Sequence, residues 1–199
     1  MQKILSFLFL LTLSFFSNAQ SPFQNVLIGS WGFPNEPAIC ISPVDTNIIT
    51  AAANTDLFYS STDGGKTWSM LQADSKFGVF GDPCLVADTN GAFLYFHLAQ
   101  NDTITIWPRW ADRIVCQKTV DGGNTWLVDT FAGLNLPKMQ DKEWSVVDPA
   151  RNYVYTAWTQ FDLYGSTAAQ DSSVIRFSAS QDGGTSWSAA KTIGALEGD

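Results

Sequence analysis

One octapeptide occurs three times in this chain. Ser61-Thr62-Asp63-Gly64-Gly65-Lys66-Thr67-Trp68 returns as Thr119-Val120-Asp121-Gly122-Gly123-Asn124-Thr125-Trp126 and as Ser180-Gln181-Asp182-Gly183-Gly184-Thr185-Ser186-Trp187, with the aspartates 58 and then 61 residues apart. A fixed period with the same turn in each unit marks a repeat architecture, in which a unit that cannot bury its apolar face alone stacks on its neighbours. The residue types describe a locked hairpin. An Asp carboxylate accepts backbone N–H groups two or more residues on, and Gly-Gly takes the positive φ that a tight turn needs. The hydroxyl two residues before the Asp can bond back to the carboxylate, and the trailing Trp is expected to bury its ring against the next unit.

Short β-rich runs between turn residues predict four strands per unit. They fall at 38–42, 48–53, 57–61 and 67–71, then at 84–87, 93–98, 113–119 and 125–130, then at 145–148, 153–160, 173–180 and 186–193. No helical period competes. The expected fold class is all-β, a propeller of four-stranded antiparallel blades at about 35–75, 81–133 and 141–195. Propellers close with roughly four to eight blades, and Leu196-Glu197-Gly198-Asp199 ends on the Gly-Asp that opens the second unit as Gly81-Asp82. The expectation is therefore the N-terminal part of a six- or seven-bladed propeller, with closure by oligomerisation as the alternative.

The octapeptides resemble the Asp box, S/T-x-D-x-G-x-T-W, which repeats in the sialidase superfamily and in several non-catalytic propellers, including sortilin-type receptors. Ser186 in place of Thr is the one departure at a defining position. The resemblance covers nearly all of the mature chain. It implies that Asp63, Gly65 and Trp68, Asp121, Gly123 and Trp126, and Asp182, Gly184 and Trp187 are structural staples on the face away from a ligand site.

The start of the chain addresses the compartment. Lys3 precedes an apolar run from Ile4 to Leu13, extended by Phe15 and Phe16, and Ser17-Asn18-Ala19 places small residues at −3 and −1 before Gln20. Residues 1–19 read as a cleavable secretory signal, too short for a membrane span, so the mature protein is expected to be secreted, periplasmic or on a bacterial cell surface. Hydrophobic residues make up 45% and charged residues only 15%, with eight Trp, which suits a sizeable core. The formal charge of −8, with no basic cluster to offset it, argues against nucleic acid as a partner.

The three cysteines form neither a zinc motif nor an even disulfide framework. Aligning the units places Cys116 level with Phe58 and Phe177, Cys84 level with Ala38 and Ser145, and Cys40 level with Val86 and Val147. Buried thiols are expected, a Cys40–Cys84 bridge being the alternative in an exported protein.

Function is sought at the end opposite the octapeptides. There the lead-ins to the innermost strands read Asn35-Glu36-Pro37-Ala38, Gly81-Asp82-Pro83-Cys84 and Asp141-Lys142-Glu143-Trp144. Glu36, Asp82 and Glu143, with Asp141 beside them, are expected to form an arc of carboxylates around the axis, which could raise a pKa, recruit a cation such as calcium, or position a general acid; a solvated strand-capping acid in each unit is the plain alternative. The loops joining second to third strands differ in length. The second unit's loop carries Trp107, Arg109 and Trp110 and the third unit's carries Phe161, Asp162 and Tyr164. Aromatic faces beside Arg and carboxylates suit a glycan or another small polar ligand, although Trp107 and Trp110 can equally pack the loop down. His97, the sole histidine, has no partner motif and reads as a strand residue.

The resemblance also carries a catalytic expectation. Sialidases open the first blade with an R-I-P-type motif and add a second arginine and an acid/base aspartate before the first Asp box. Here Asn35 stands at the first arginine, no arginine precedes Arg109, and Asp56 is the counterpart of the acid/base. The opening N-E-P-A-I-C-I-S-P is similar to the start of exported Asp-box proteins called sialidase-like. Three readings follow. One is a non-catalytic binding propeller, one a glycoside hydrolase using Glu36, Asp56, Asp82 or Glu143, and one an interaction module of a larger surface protein.

Overall fold

The computed structural model describes residues 24–100 and 110–197. The segment read as a secretory signal, and Trp107 and Arg109, lie outside the described residues. The described residues form twelve strands in three four-stranded antiparallel sheets and no helix. The first sheet holds β1 (Ala38–Ile41), β2 (Ile49–Ala53), β3 (Leu57–Ser61) and β4 (Ser69–Gln72). The second holds β5 (Gly81–Ala87), β6 (Phe93–Gln100), β7 (Trp110–Thr119) and β8 (Val128–Ala132). The third holds β9 (Met139–Asp148), β10 (Tyr153–Phe161), β11 (Ser172–Ser180) and β12 (Lys191–Glu197). Strand β1 lies against β5, and β5 against β9, so the sheets stack in chain order with their first strands together.

The fourth strands begin later than the sequence suggests, because residues after the Asp are taken up by the turn. Asp63 Oδ1 accepts from Ser61 Oγ, Lys66 N and Thr67 N, each at 2.9 Å, while Oδ2 accepts from Thr67 Oγ1 at 2.7 Å. Asp121 takes Thr119 Oγ1 (2.8 Å), Thr125 N (2.9 Å) and Thr125 Oγ1 (2.7 Å), and Asp182 takes Ser180 Oγ (2.8 Å) and Ser186 N (2.8 Å). With so many donors on one carboxylate, the charged form is favoured. The Thr67 hydroxyl foremost, then the other donors, hold Asp63 down at about 2.

The tryptophans after the second and third turns pack backward. Trp126 of the second sheet meets Phe58 of the first edge-on at 5.3 Å, and Trp187 of the third meets Phe96 of the second at 5.8 Å. This corrects the expectation that the ring seats on the next unit. The turn tips follow: a Cβ at Gly123 would lie 2.6 Å from Phe58, and one at Gly184 would lie 2.8 Å from Leu94. Thr130 Oγ1 of the second sheet also donates to Gly184 O of the third at 2.6 Å. The second and third octapeptides therefore each clamp their own hairpin and the sheet before it, while Trp68 of the first packs within its own sheet.

Two cores result. Ala52, Phe58, Leu85 and Tyr95 fill the first interface, and Leu94, Phe96, Leu98, Met139, Val154 and Trp158 fill the second. Residues 24–34 cover part of the first sheet's other side, where Ile28 packs with Ala51, Ala53, Leu57 and Tyr59. The third sheet's other side carries the exposed Trp144, Val146 and Ile175.

Cys84 and Cys116 are buried, Cys40 is half-buried, and none is bridged. By register Cys116 is level with Phe58 and Phe177, as aligned, since these pair with Phe96, Ala52 and Ala157. Cys84 is level with Ala38 and Trp144 rather than Ser145, which puts Cys40 level with Val86 and Val146 rather than Val147. The one-residue error has a structural cause, described next.

Candidate functional site

Every first strand opens with the same irregularity. Gly81 pairs with Leu98 and Cys84 with Phe96, and Asp141 pairs with Thr159 and Trp144 with Ala157, so three steps on the inner strand match two on its neighbour. In the first sheet Asn54 N donates to Asn35 O at 2.9 Å while Ala38 pairs with Ala52, the same count. These are bulges, and bulges re-aim side chains. The second residue of each is left-handed without being glycine: Glu36 at φ 48°, Asp82 at 53° and Lys142 at 50°. Such residues cost about 1–3 kcal/mol each and persist where surrounding structure holds them, often at functional sites.

The bulge corrects the sequence reading at its central point. Lys142, not Glu143, is level with Glu36 and Asp82, and Glu143 takes the place of Pro37 and Pro83. The Lys142 ammonium donates to Glu36 Oε2 and lies 3.2 Å from Asp82 Oδ2, so one side chain from each sheet meets on the axis. An arc of three repelling acids is replaced by two carboxylates sharing a cation. Burial pulls Lys142 down, but hydrogen bonds to Glu36 and Asp82 outweigh it and hold the ammonium above its usual value. The same Lys142 bond lowers Glu36. Burial, with a hydrogen bond that protonated Asp82 donates to Glu36, pushes Asp82 up to about 6 against the pull of Lys142.

Glu143 sits beneath the bridge. It is 4% exposed, and neither carboxylate oxygen has a partner. Burial, then the nearby negative charges of Asp82 and Asp141, push its carboxyl well above the ordinary range, which favours the protonated form that can donate as well as accept. A cavity of about 240 Å³ is lined by Glu36, Pro37, Asp82, Pro83, Lys142, Glu143 and Trp144, whose indole is 76% exposed. On the other side of the bridge a cleft of about 410 Å³ is lined by residues including Asn35, Asn54, Thr55, Asp141 and Tyr164. Asn54 braces both bulges: its Oδ1 accepts from Asp82 N at 2.6 Å and its Nδ2 donates to Asn35 Oδ1 at 3.2 Å. Asp141 Oδ1 accepts from Lys142 N at 3.0 Å.

The remaining sequence candidates divide. Tyr164 reaches the cleft and packs on Phe161 at 5.1 Å. Asp162 turns to Lys138, at 2.6 Å, and to Ser172 Oγ, at 2.9 Å, and lines neither cavity. Asp56 accepts from Gln72 Nε2 at 2.7 Å in a separate cleft with Ala73, Asp74 and Val79. Trp110 lies in β7 opposite Gln100, its side chain outside the described residues. His97 is fully buried with Nδ1 2.9 Å from Leu98 O, and burial lowers it to about 4, so it is a neutral strand residue. Sequence reasoning missed Lys142 and Trp144 as site residues. The usable signal was Pro37 and Pro83, which fix the register in two units; the third has no proline, and matching carboxylates instead shifted it by one.

Among the described residues no group of three or more His, Cys, Asp or Glu side chains is placed to hold a metal ion. Calcium at Glu36 and Asp82 would have to displace the Lys142 ammonium. No helix among the described residues is long and apolar enough to cross a membrane.

No protein-family model and no curated protein matches the chain. Solved structures do. A Hadza microbial sialidase superposes with a TM-score of 0.58 at 14% identity, over 82% of this chain and 38% of that one. The Penicillium chrysogenum α-L-arabinanase complexed with arabinobiose gives 0.53 at 16% identity, over 79% of this chain and 49% of the other. The Fusarium graminearum α-L-arabinofuranosidase in complex with an iminosugar inhibitor gives 0.53 at 14%, over 81% and 48%. The three sheets are β-propeller blades. The chain spans half or less of the length of each of these proteins. The Glu36–Lys142–Asp82 bridge lies where the inner strands of the blades begin, at the end away from the octapeptide turns.

Proposed function

We propose that this chain is an exported Asp-box propeller of the sialidase-like class, sent out by cleavage after Ala19, whose axial end binds a glycan without hydrolysing it. The observation that carries the reading is the bridge: equivalent strained residues from three blades meet above a cavity that also holds a buried, unpartnered carboxyl and an exposed indole. An indole face suits the apolar face of a sugar ring, and convergent polar groups suit its hydroxyls. The fold neighbours, by their names a sialidase, an arabinanase and an arabinofuranosidase, agree with a carbohydrate ligand. Among the described residues neither cavity beside the bridge is lined by an arginine, which favours a ligand other than a sialic acid carboxylate.

A second reading is favoured by one observation. Burial raises the Glu143 carboxyl well above its ordinary value beside Asp82, which is raised to about 6, and two neighbouring carboxyls pushed apart from the ordinary range are the parts of a glycosidase. One experiment separates the two. Purified protein is assayed on fluorogenic α-sialoside and α-L-arabinofuranoside and in parallel on a glycan array. Binding without turnover supports the proposal. Turnover that disappears in Glu143→Gln overturns it in favour of the hydrolase, and the absence of any glycan binding overturns both.

A further inference from the structure

The bridge itself says what class of glycan fits, on the premise that the axial end is the glycan site. Glu36 and Asp82 come from different blades, yet their carboxylates are set to receive one ammonium between them. The ammonium present belongs to a third blade, on a side chain that is 60% exposed at the mouth of the cavity. The backbone that carries each carboxylate is set apart from Lys142: each belongs to its own bulge, and the Asp82 backbone is tied to Asn54 at 2.6 Å. Below them, two carboxyl oxygens of Glu143 are sealed from water without a donor or acceptor, which is costly unless a ligand supplies one.

We propose that the Glu36–Asp82 pair is a receptor for the primary ammonium of an amino sugar, that Lys142 is its internal stand-in, and that Glu143 takes a neighbouring hydroxyl. An ammonium has three donors on one compact charge, which matches two carboxylates at different blades. A metal ion would want more oxygen ligands than the pair provides. The negative charges of Glu36, Asp82 and Asp141 against the single positive charge of Lys142 disfavour uronic and sialic acids at this end. N-acetylation removes the charge and leaves the pair with Lys142 alone.

The test is calorimetric titration at pH 7 with three trisaccharides: β-1,4-linked glucosamine, its fully N-acetylated counterpart, and the glucose analogue. The amine should bind at least tenfold more tightly than either of the others. Lys142→Met removes the internal competitor and should tighten the amine severalfold while leaving the neutral sugars near their wild-type affinities. Glu36→Gln, an exposed and conservative change, should bring the amine down to the level of the glucose trisaccharide without moving the melt. Equal affinities for the three sugars, with binding still lost in a cavity-wall variant such as Trp144→Ala, would overturn the amine inference and leave the axial glycan site standing. No binding by any of the sugars would overturn both. Displacement of the amine by millimolar calcium, equally in wild type and Lys142→Met, would assign the pair to a metal and overturn the inference.

Discussion

Replacing Gly123 by Ala tests whether an octapeptide clamps the blade before it as well as its own hairpin. Gly123 sits at φ 93°, where an L-residue costs about 1–2 kcal/mol. Its new methyl would also lie 2.6 and 2.8 Å from two ring carbons of Phe58. That ring is fully buried and is held edge-on by Tyr95 at 5.4 Å and by Trp126 at 5.3 Å, so it has nowhere to retreat. Overpacking of this kind costs roughly 1–3 kcal/mol more. Gly165→Ala supplies the control, because its φ of 73° is also left-handed but nothing lies within 4 Å of its Cβ position. Both variants restrict the unfolded chain equally, so that effect cancels in the comparison. The difference between them isolates the contact with the preceding blade: about 1–3 kcal/mol, or roughly 2–12 °C in Tm for a domain of this size. Denaturant unfolding followed by tryptophan fluorescence reads it, and Gly184→Ala, whose methyl would meet Leu94 at 2.8 Å, should behave like Gly123→Ala. If Gly123→Ala and Gly165→Ala melt together, the turn tip does not bear on the first blade and the clamp is wrong.

Asp121→Ala removes the acceptor for Thr119 Oγ1, Thr125 N and Thr125 Oγ1 and should cost on the order of 1–3 kcal/mol in unfolding, with glycan affinity of the folded protein unchanged; lost binding at an unchanged melt would put the octapeptides at the ligand site. Asp82 is raised to about 6, so the unfolded chain ionises first as pH rises and stability falls between about 4 and 6; urea unfolding across that range should show the fall in wild type and a flatter profile in Asp82→Asn. The octapeptide aspartates are lowered, Asp63 to about 2, so their stabilisation is full above the unfolded value near 4 and is lost as pH falls toward 2, where Asp63→Asn should narrow the gap to wild type. Burial pushes the Cys84 thiol up to about 11 and Cys116 higher still, whereas Cys40 is only half-buried, so a thiol reagent at pH 8 should modify Cys40 first in native protein; fast modification of Cys116 would refute its place in the core.

The blades were legible because their signals are local. A turn such as Ser61 to Trp68 states its own hydrogen bonds, and a β-rich run between turn residues such as Tyr153 to Gln160 states the strand. Packing direction was not local. Whether Trp126 seats forward or backward depends on where the neighbouring sheet lies, which the octapeptide does not encode. The meeting of the lead-ins was legible in the sequence and its composition was not. Asn35-Glu36 and Gly81-Asp82 pointed to side chains that do converge, but the bulge inserts a residue into each lead-in. In the third blade that residue is Lys142, so matching acids by charge selected Glu143 and reversed the electrostatics. The buried carboxyl that resulted, and the exposed Trp144 beside it, depend on a register that only the paired strands fix.

The most direct test of the axial site is a crystal structure of the protein with a glycan selected on an array. The sugar should lie over the Glu36–Lys142–Asp82 bridge, stacked on Trp144, with a polar atom within hydrogen-bonding distance of Glu143. A glycan bound at the octapeptide end, or in the groove between the outer strands beside Trp187 and Arg176, with the bridge unchanged, would contradict it.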